Sequence, residues 1–374
     1  MSSILFVTWD GGGNVPPATA LARELVRRGH EVRFLGHPSQ EERLAAAGFE
    51  VVPARHVRRF VGVEPHSPLD MIATFGDRGA GRDLRDATTS RPTDLAVVDA
   101  FAFGALAAAR RADVPYVVLE HAHDAYYRRT ILGGPMGVSL RLRGLRPGRS
   151  LRDAALRLLL TLPELDPVPS PPANLLQVGP VAPWSPLTRT GPAVLISVST
   201  FGYPGQAEVL QRLVDATDGT GARVVVTTGP VVDPAELRLR DDVEVHRWLP
   251  HSEVMPQMSL MVGHGGHGST TTALAHDLPL LLLPMGSLSD QPMMGRTLEA
   301  AGAGIALPRD TDVTDLRAAM MTLLADGPHR AAAARLGAAI RATDAVRDGA
   351  DAVESVLRDR ARREPARGRP AARP

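Results

Sequence analysis

The segment SLMVGHGGHGSTTTALAHDLPLLLLPMGSLSDQ, residues 259–291, holds the residues best suited to chemistry. An apolar run ends at Val262, glycines follow at 263, 265, 266 and 268, and a helix is expected from about Ser269. Backbone N–H groups at a helix N-terminus bind phosphate, and glycines let the phosphate come close. The Ser269 and Thr270 hydroxyls add donors, and His264 can add a hydrogen bond or a charge. Past the next strand, LPLLLLP, stand Asp290 and Gln291. In open parallel sheets ligands lie beyond the carboxyl ends of the strands, so both segments face one crevice. That crevice suits a nucleotide-sugar, with phosphates on the glycine turn and sugar hydroxyls on Asp290 and Gln291. The bland alternative is a tight turn beside a surface histidine. Histidine, four glycines, a helix cap and Asp-Gln in this order favour the site. His264 and His267 have no carboxylate or third histidine at ligand spacing, so no metal is expected.

A second glycine cluster lies in TWDGGGNVPP, residues 8–17. A strand leading into three glycines and a helix has the outline of a phosphate turn. Two features argue against that use. This end of the chain lacks a second nucleotide fingerprint, and prolines open the following helix. Asn14 sits in the middle of the turn.

The elements that must hold these turns alternate as strand and helix. SILFVTW, HEVRFLGH, FEVVPA, DLAVVDA and PYVVLEH are short apolar runs, with PATALARELVRRG and FGALAAARRAD helical among them. This is the rhythm of a parallel, doubly wound sheet. Residues 60–90 and 124–160 interrupt it and are expected to form mobile loops and helices over one end of the sheet. The proline-rich LPELDPVPSPPANLLQVGPVAPWSPLTRTGP marks a boundary, after which AVLISVST, ARVVVTTG, VEVHRWLP, LPLLLLPM and GAGIALP restart the rhythm. The expected class is α/β, with two Rossmann-like doubly wound domains facing each other across a cleft. The first covers residues 1–180, a linker 181–192 and the second 193–345. A C-terminal helix, 346–360, and a basic tail, 361–374, expected to be disordered, complete the chain.

Composition narrows the classes. The 374 residues are 44% hydrophobic and 22% charged, enough for two well-filled cores. A net charge of +1 makes no electrostatic case for nucleic acid. The absence of cysteine excludes disulfides and thiolate chemistry. The N-terminus runs directly into ILFVTW without the pattern of a signal peptide, and no apolar run approaches the roughly 20 residues of a membrane span. A cytoplasmic protein is expected.

Taken as a set, GHGGHGS with the later proline and DQ, preceded by HRWLPH and VGPV, resembles a known family. It is similar to the nucleotide-sugar glycosyltransferases of the GT-B fold, of the type that decorates natural products and antibiotics. The resemblance covers about residues 3–355 and is thinnest over 60–90 and 124–150. It implies that His264, Gly265, Gly266, Gly268 and Ser269 meet the donor pyrophosphate, with Ser199 and Thr200 in a turn beside it. It places Trp248 and Leu249 at the nucleobase and Asp290 and Gln291 at the transferred sugar. Many UDP-using relatives carry a glutamate on the ribose three residues after the motif serine. Here that position is Thr272, which fits a deoxyribose and favours dTDP over UDP.

The same resemblance explains the first glycine turn. In the family it faces the acceptor and carries a histidine general base, held by an aspartate that matches Asp99. Gly13, Asn14 and Met136 are the acceptor-side candidates here. But the histidine position holds Asn14, and an amide has no proton affinity near pH 7. Four readings stay open. Asp99, Asp10, His121 or His123 is the base, with Asp99 the first candidate; the acceptor needs little help; Asn14 only orients the nucleophile; or the protein binds without turnover. The catalytic candidates are thus Asp99, Asn14 and His121. The stretch YYRRTILGGPMGVSLRLRGLRPGRSLRDAALRLLL reads as a lid, with Met136, Leu140 and Leu142 lining an apolar pocket, in preference to an anionic-membrane patch.

The expected function is an inverting glycosyltransferase that moves a sugar, a deoxysugar by preference, from a dTDP or UDP donor to a hydrophobic small molecule. No metal or cofactor is expected beyond the nucleotide-sugar co-substrate, and a monomer or homodimer is expected. The rivals are a sugar-nucleotide epimerase, a non-catalytic auxiliary protein of the same fold, and a transferase acting on a glycolipid.

Overall fold

The computed structural model describes residues 1–112, 114–287 and 289–363. The first sheet contains β1 (Ser3–Val7), β2 (Glu31–Leu35), β3 (Glu50–Val52), β4 (Leu95–Asp99), β5 (Tyr116–Glu120), β6 (Leu156–Leu159) and β7 (Leu175–Gln177). Its order is β3-β2-β1-β4-β5-β6-β7. The second contains β8 (Ala193–Ser197), β9 (Arg223–Thr227), β10 (Val243–His246), β11 (Leu260–Gly263), β12 (Leu280–Leu282) and β13 (Gly304–Ala306), in the order β10-β9-β8-β11-β12-β13. The described strand pairings are parallel throughout. Helices cover both faces, so central strands such as LAVVD are buried along their whole length and read as unbroken apolar runs.

Each sheet reverses direction once, between β1 and β4 in the first and between β8 and β11 in the second. Crevices open at such switch points, beyond the strand ends. The helix after β1, Val15–Arg27, shows how local sequence fixes this geometry. Prolines occupy its first turn, where no intrahelical donor is needed, and Leu21, Ala22 and Leu25 seat it on the sheet. Gly29, at φ 87°, ends it in the left-handed region that glycine tolerates.

The sheet is wider than the strand runs in the sequence suggest. β6 lies inside the arginine-rich interruption and β7 inside the proline-rich stretch. Residues 60–90 also hold regular structure, the helices Pro68–Phe75 and Arg78–Ser90. The second of these packs closely on Phe103–Ala109, the helix that follows β4. A Cβ at Gly104 would fall 1.7 Å from the Asp77 carbonyl oxygen. Gly104→Ala is therefore expected to cost about 2–3 kcal/mol by overpacking. Urea unfolding measures this, and an unchanged midpoint would contradict the packing.

The last described helix, Ala345–Arg363, leaves the second domain and returns to the first. Its Ala350, Val353 and Leu357 share a core with Leu21 and Leu25. Arg28 pairs with Glu354 at 3.0 Å beside that core. The helix runs through residues 361–363, which were expected to be disordered; the rest of that tail lies outside the described residues. No helix among the described residues is long and apolar enough to cross a membrane.

Candidate active site

The two switch points face each other. The Gly202 N–H of the second domain donates to the Gly62 carbonyl of the first at 3.1 Å. The rings of His123 and His267, one from each domain, lie 6.2 Å apart. The first glycine turn meets the loop after β8, since a Cβ on Gly12 would sit 3.0 Å from Thr200 Oγ1.

On the second domain, β11 ends at Gly263 and the helix His267–Ala275 begins two residues earlier than expected. Ser269 is thus its third residue, within the turn whose backbone N–H groups lack intrahelical partners. The glycines have specific reasons. Gly265 adopts φ 86°, and its absent side chain would press on Gln291. A Cβ on Gly266 would lie 2.6 Å from His264 Nε2. His264 Nδ1 is enclosed and has no hydrogen-bond partner. Burial, with His251 adding repulsion, pulls the His264 pKa down to about 4. Burial, with His123 and His121 adding repulsion, takes His267 to about 3. Both rings are neutral at pH 7, so His264 offers an incoming phosphate a hydrogen bond and carries no standing charge.

Ser199 Oγ accepts the Phe201 N–H at 2.9 Å, while Thr200 is exposed to the cleft. Trp248 is 68% exposed on the loop after β10, and Leu249 packs partly into the second core. Asp290 immediately precedes the helix Gln291–Ala300, and its side chain makes no capping hydrogen bond. Burial raises its carboxyl above the ordinary value, against the pull of His123 and His121 across the cleft. Gln291 is largely committed to the protein. Its oxygen accepts from Met285 N–H at 2.8 Å and Gly286 N–H at 3.2 Å, and its amide donates to Tyr203 Oη at 2.7 Å. That leaves one N–H of the amide. Tyr203 itself was not anticipated; a lone tyrosine after the Ser-Thr turn carries no sequence signal.

On the first domain, Asn14 Nδ2 faces three acceptors: Asp99 Oδ2 at 2.9 Å, Thr8 Oγ1 at 3.0 Å and the Trp9 carbonyl at 3.0 Å. That environment fixes the amide's orientation and turns Oδ1 away, enclosed and without a partner. Asp99 is 4% exposed, and its Oδ1 accepts the Phe101 N–H at 2.9 Å. Burial pushes its carboxyl above the usual value, and the charge of His121 pulls it back. His121 Nδ1 stands 3.6 Å from Asp99 Oδ2. So the three catalytic candidates, from the ends of three neighbouring strands, do come together. Gly13 lies exposed next to them, with nothing within 4 Å of a Cβ placed on it.

Other candidates find different work. Asp10 accepts from Ser39 Oγ at 2.8 Å and from the Gly62 N–H at 3.1 Å, so it ties loops together. Met136 is half-buried against the first core, Leu140 is inside that core, and Leu142 is 85% exposed beside an open cavity lined also by Arg58, Arg78 and Arg143. Among the described residues one His-Asp-Asp group, His56, Asp83 and Asp86, has metal-like proximity. Within it Asp83 is already taken by the N–H groups of Arg55, His56 and Val57.

With this geometry in view, comparison with known proteins is informative for both halves. Residues 13–161 match the Glycosyltransferase Family 4 model, and residues 210–366 match the C-terminal domain of erythromycin biosynthesis protein CIII-like proteins. The chain is 26% identical to 4'-demethylrebeccamycin synthase of Lentzea aerocolonigenes, covering 95% of this chain and 99% of that one. It is 28% identical to the L-demethylnoviosyl transferase of Streptomyces niveus, over 89% and 92% of the two chains. Its structure is similar to that of the calicheamicin glycosyltransferase CalG4, with a TM-score of 0.77, 26% identity and coverage of 96% and 98%.

Proposed function

Since both halves of this chain are those of a GT-B glycosyltransferase, similar to enzymes of natural-product biosynthesis, we propose that it transfers a sugar from a nucleoside diphosphate to a hydrophobic small-molecule hydroxyl, with inversion. One observation carries the reading. The glycine turn and helix N-terminus of the second domain face the Asn14–Asp99–His121 group of the first across one cleft. The acceptor oxygen attacks the anomeric carbon from the first domain's side. The carbon–oxygen bond to the diphosphate breaks and its electron pair stays on the diphosphate. Helix N–H groups and His264, already in place, stabilise the charge that develops there. A single displacement of this kind inverts the anomeric centre.

Thr272 favours a thymidine nucleotide and, with it, a deoxysugar. It is 6% exposed on the donor helix and offers no carboxylate for a ribose 2′-hydroxyl. Calorimetric titration with dTDP and then UDP, without added metal, tests the reading. Tighter dTDP binding is the expected result. A preference for UDP would remove the thymidine assignment. No binding of either would remove the transferase and leave a non-catalytic partner of this fold.

A further inference from the structure

We infer that His121, oriented by Asp99, takes the acceptor's proton, and that Asn14 holds Asp99 in place without taking part in proton transfer. This rests on the transferase reading above and assigns the step that the Asn14 substitution leaves without a base.

The three side chains stand at or just past the ends of β1, β4 and β5, which are neighbours in the sheet. Asn14 turns its N–H groups inward to Asp99, Thr8 and Trp9. Its remaining polar atom, Oδ1, is enclosed, and an amide oxygen cannot hold a proton near pH 7. Asp99 is walled in, and both of its oxygens already serve donors.

His121 stands on the other flank of Asp99. Its ring rests edge-on against Phe101, with centroids 5.5 Å apart, and its Nδ1 is enclosed and unpartnered 3.6 Å from Asp99 Oδ2. That separation is a few tenths of an ångström beyond a hydrogen bond, and catalytic contacts commonly tighten when substrate binds. The side chain keeps 15% of its surface exposed. A proton held on Nδ1 by the carboxylate leaves the Nε2 lone pair free. The charged and titratable groups around the ring are Asp99 behind it, His123 on its own segment, and His267 and Asp290 from the second domain. His121 therefore stands in the gap where acceptor and sugar must meet. In the step, the acceptor O–H proton passes to Nε2, the freed electron pair bonds to the anomeric carbon, and the diphosphate departs with its own pair. Asp99 holds the resulting imidazolium. His121 is the catalytic residue, and Asp99 and Asn14 are positioning residues.

The tautomer of neutral His121 tests this directly. Long-range 1H–15N correlation spectra of the full chain, labelled at histidine, report which nitrogen carries the proton at alkaline pH. His121→Gln identifies the signal by its loss. The expected result is Nδ1–H in the wild type, moving mainly to Nε2–H in Asp99→Asn. In that variant the amide oxygen stays with the Phe101 N–H, and an NH2 faces the imidazole. An Nε2–H tautomer in the wild type, or one that Asp99→Asn does not move, would overturn the inference. Failure of the wild type to bind dTDP or UDP would sink the transferase reading while leaving the tautomer result intact, so the two failures are distinguishable.

Discussion

Asp99→Asn is expected to lower sugar transfer by about 10²–10⁴-fold, the range that general-base catalysis supplies, while dTDP affinity stays within about twofold. Two changes at the acceptor side produce the loss. The imidazolium of His121 loses the carboxylate 3.6 Å from it. The new NH2 also faces the Asn14 NH2, so the hydrogen bond that ties Asn14 to residue 99 is lost. Residues that act as a unit are not additive. The double variant Asp99→Asn with His121→Gln should therefore be little worse than either single one in steady-state turnover. Stability moves the other way. Burial raises the Asp99 pKa in the folded chain above its unfolded value. The folded state therefore binds this proton more tightly, and stability falls as pH rises from the unfolded pKa to the folded one. At pH 7 the wild type carries that cost and the amide does not, so the melting temperature of Asp99→Asn should match or exceed the wild type's. Near-wild-type turnover would remove Asp99 from the mechanism, and lost dTDP binding would point to a disturbed fold.

The glycine turn of the second domain was legible in the sequence because its parts are consecutive. One strand, one turn and one helix carry His264 through Ser269, and the crevice rule places Asp290 beside them. Burial and hydrogen bonding were not legible. That His264 is neutral follows from its enclosure, and that the Gln291 amide holds Met285, Gly286 and Tyr203 follows from how the loop folds. The side-chain group of the first domain was hidden for a different reason. Asn14, Asp99 and His121 become neighbours only through the strand order β1-β4-β5, which no local pattern reveals. β6 and β7 went unread because four- and three-residue strands embedded in arginine- and proline-rich sequence carry too short a period to show. Leu140 and Leu142 show the limit of composition. Both are leucines in one basic helix, yet one is in the core and the other in solvent. Periodicity gives the angle between them and leaves open which of them faces the protein.

His264→Ala is expected to weaken dTDP binding by roughly 10- to 100-fold, the worth of one hydrogen bond to a charged group. The pH dependence of that loss separates the ring's chemistry from its packing. In the free protein burial holds the His264 pKa at about 4. A diphosphate against the ring favours the imidazolium, so the bound-state pKa lies higher. Between the two values the complex binds a proton that the free protein does not. Affinity must then rise as pH falls through the bound-state pKa and level off near pH 4. If the bound value approaches 7, the gain between pH 7 and pH 6 approaches about fivefold. The diphosphate's own ionisation adds a slope to every variant, so the diagnostic quantity is the difference between wild type and His264→Ala titrated in parallel. Proton uptake follows separately from calorimetry in buffers of different ionisation enthalpy. Parallel slopes with a constant offset would mean that the ring stays neutral and acts only as a hydrogen-bond donor. Identical affinities at every pH would take His264 out of the donor site. The neutral resting state also bears on turnover. A ring that gains its charge from the bound diphosphate stabilises the leaving group, and loses that charge again once the nucleotide departs.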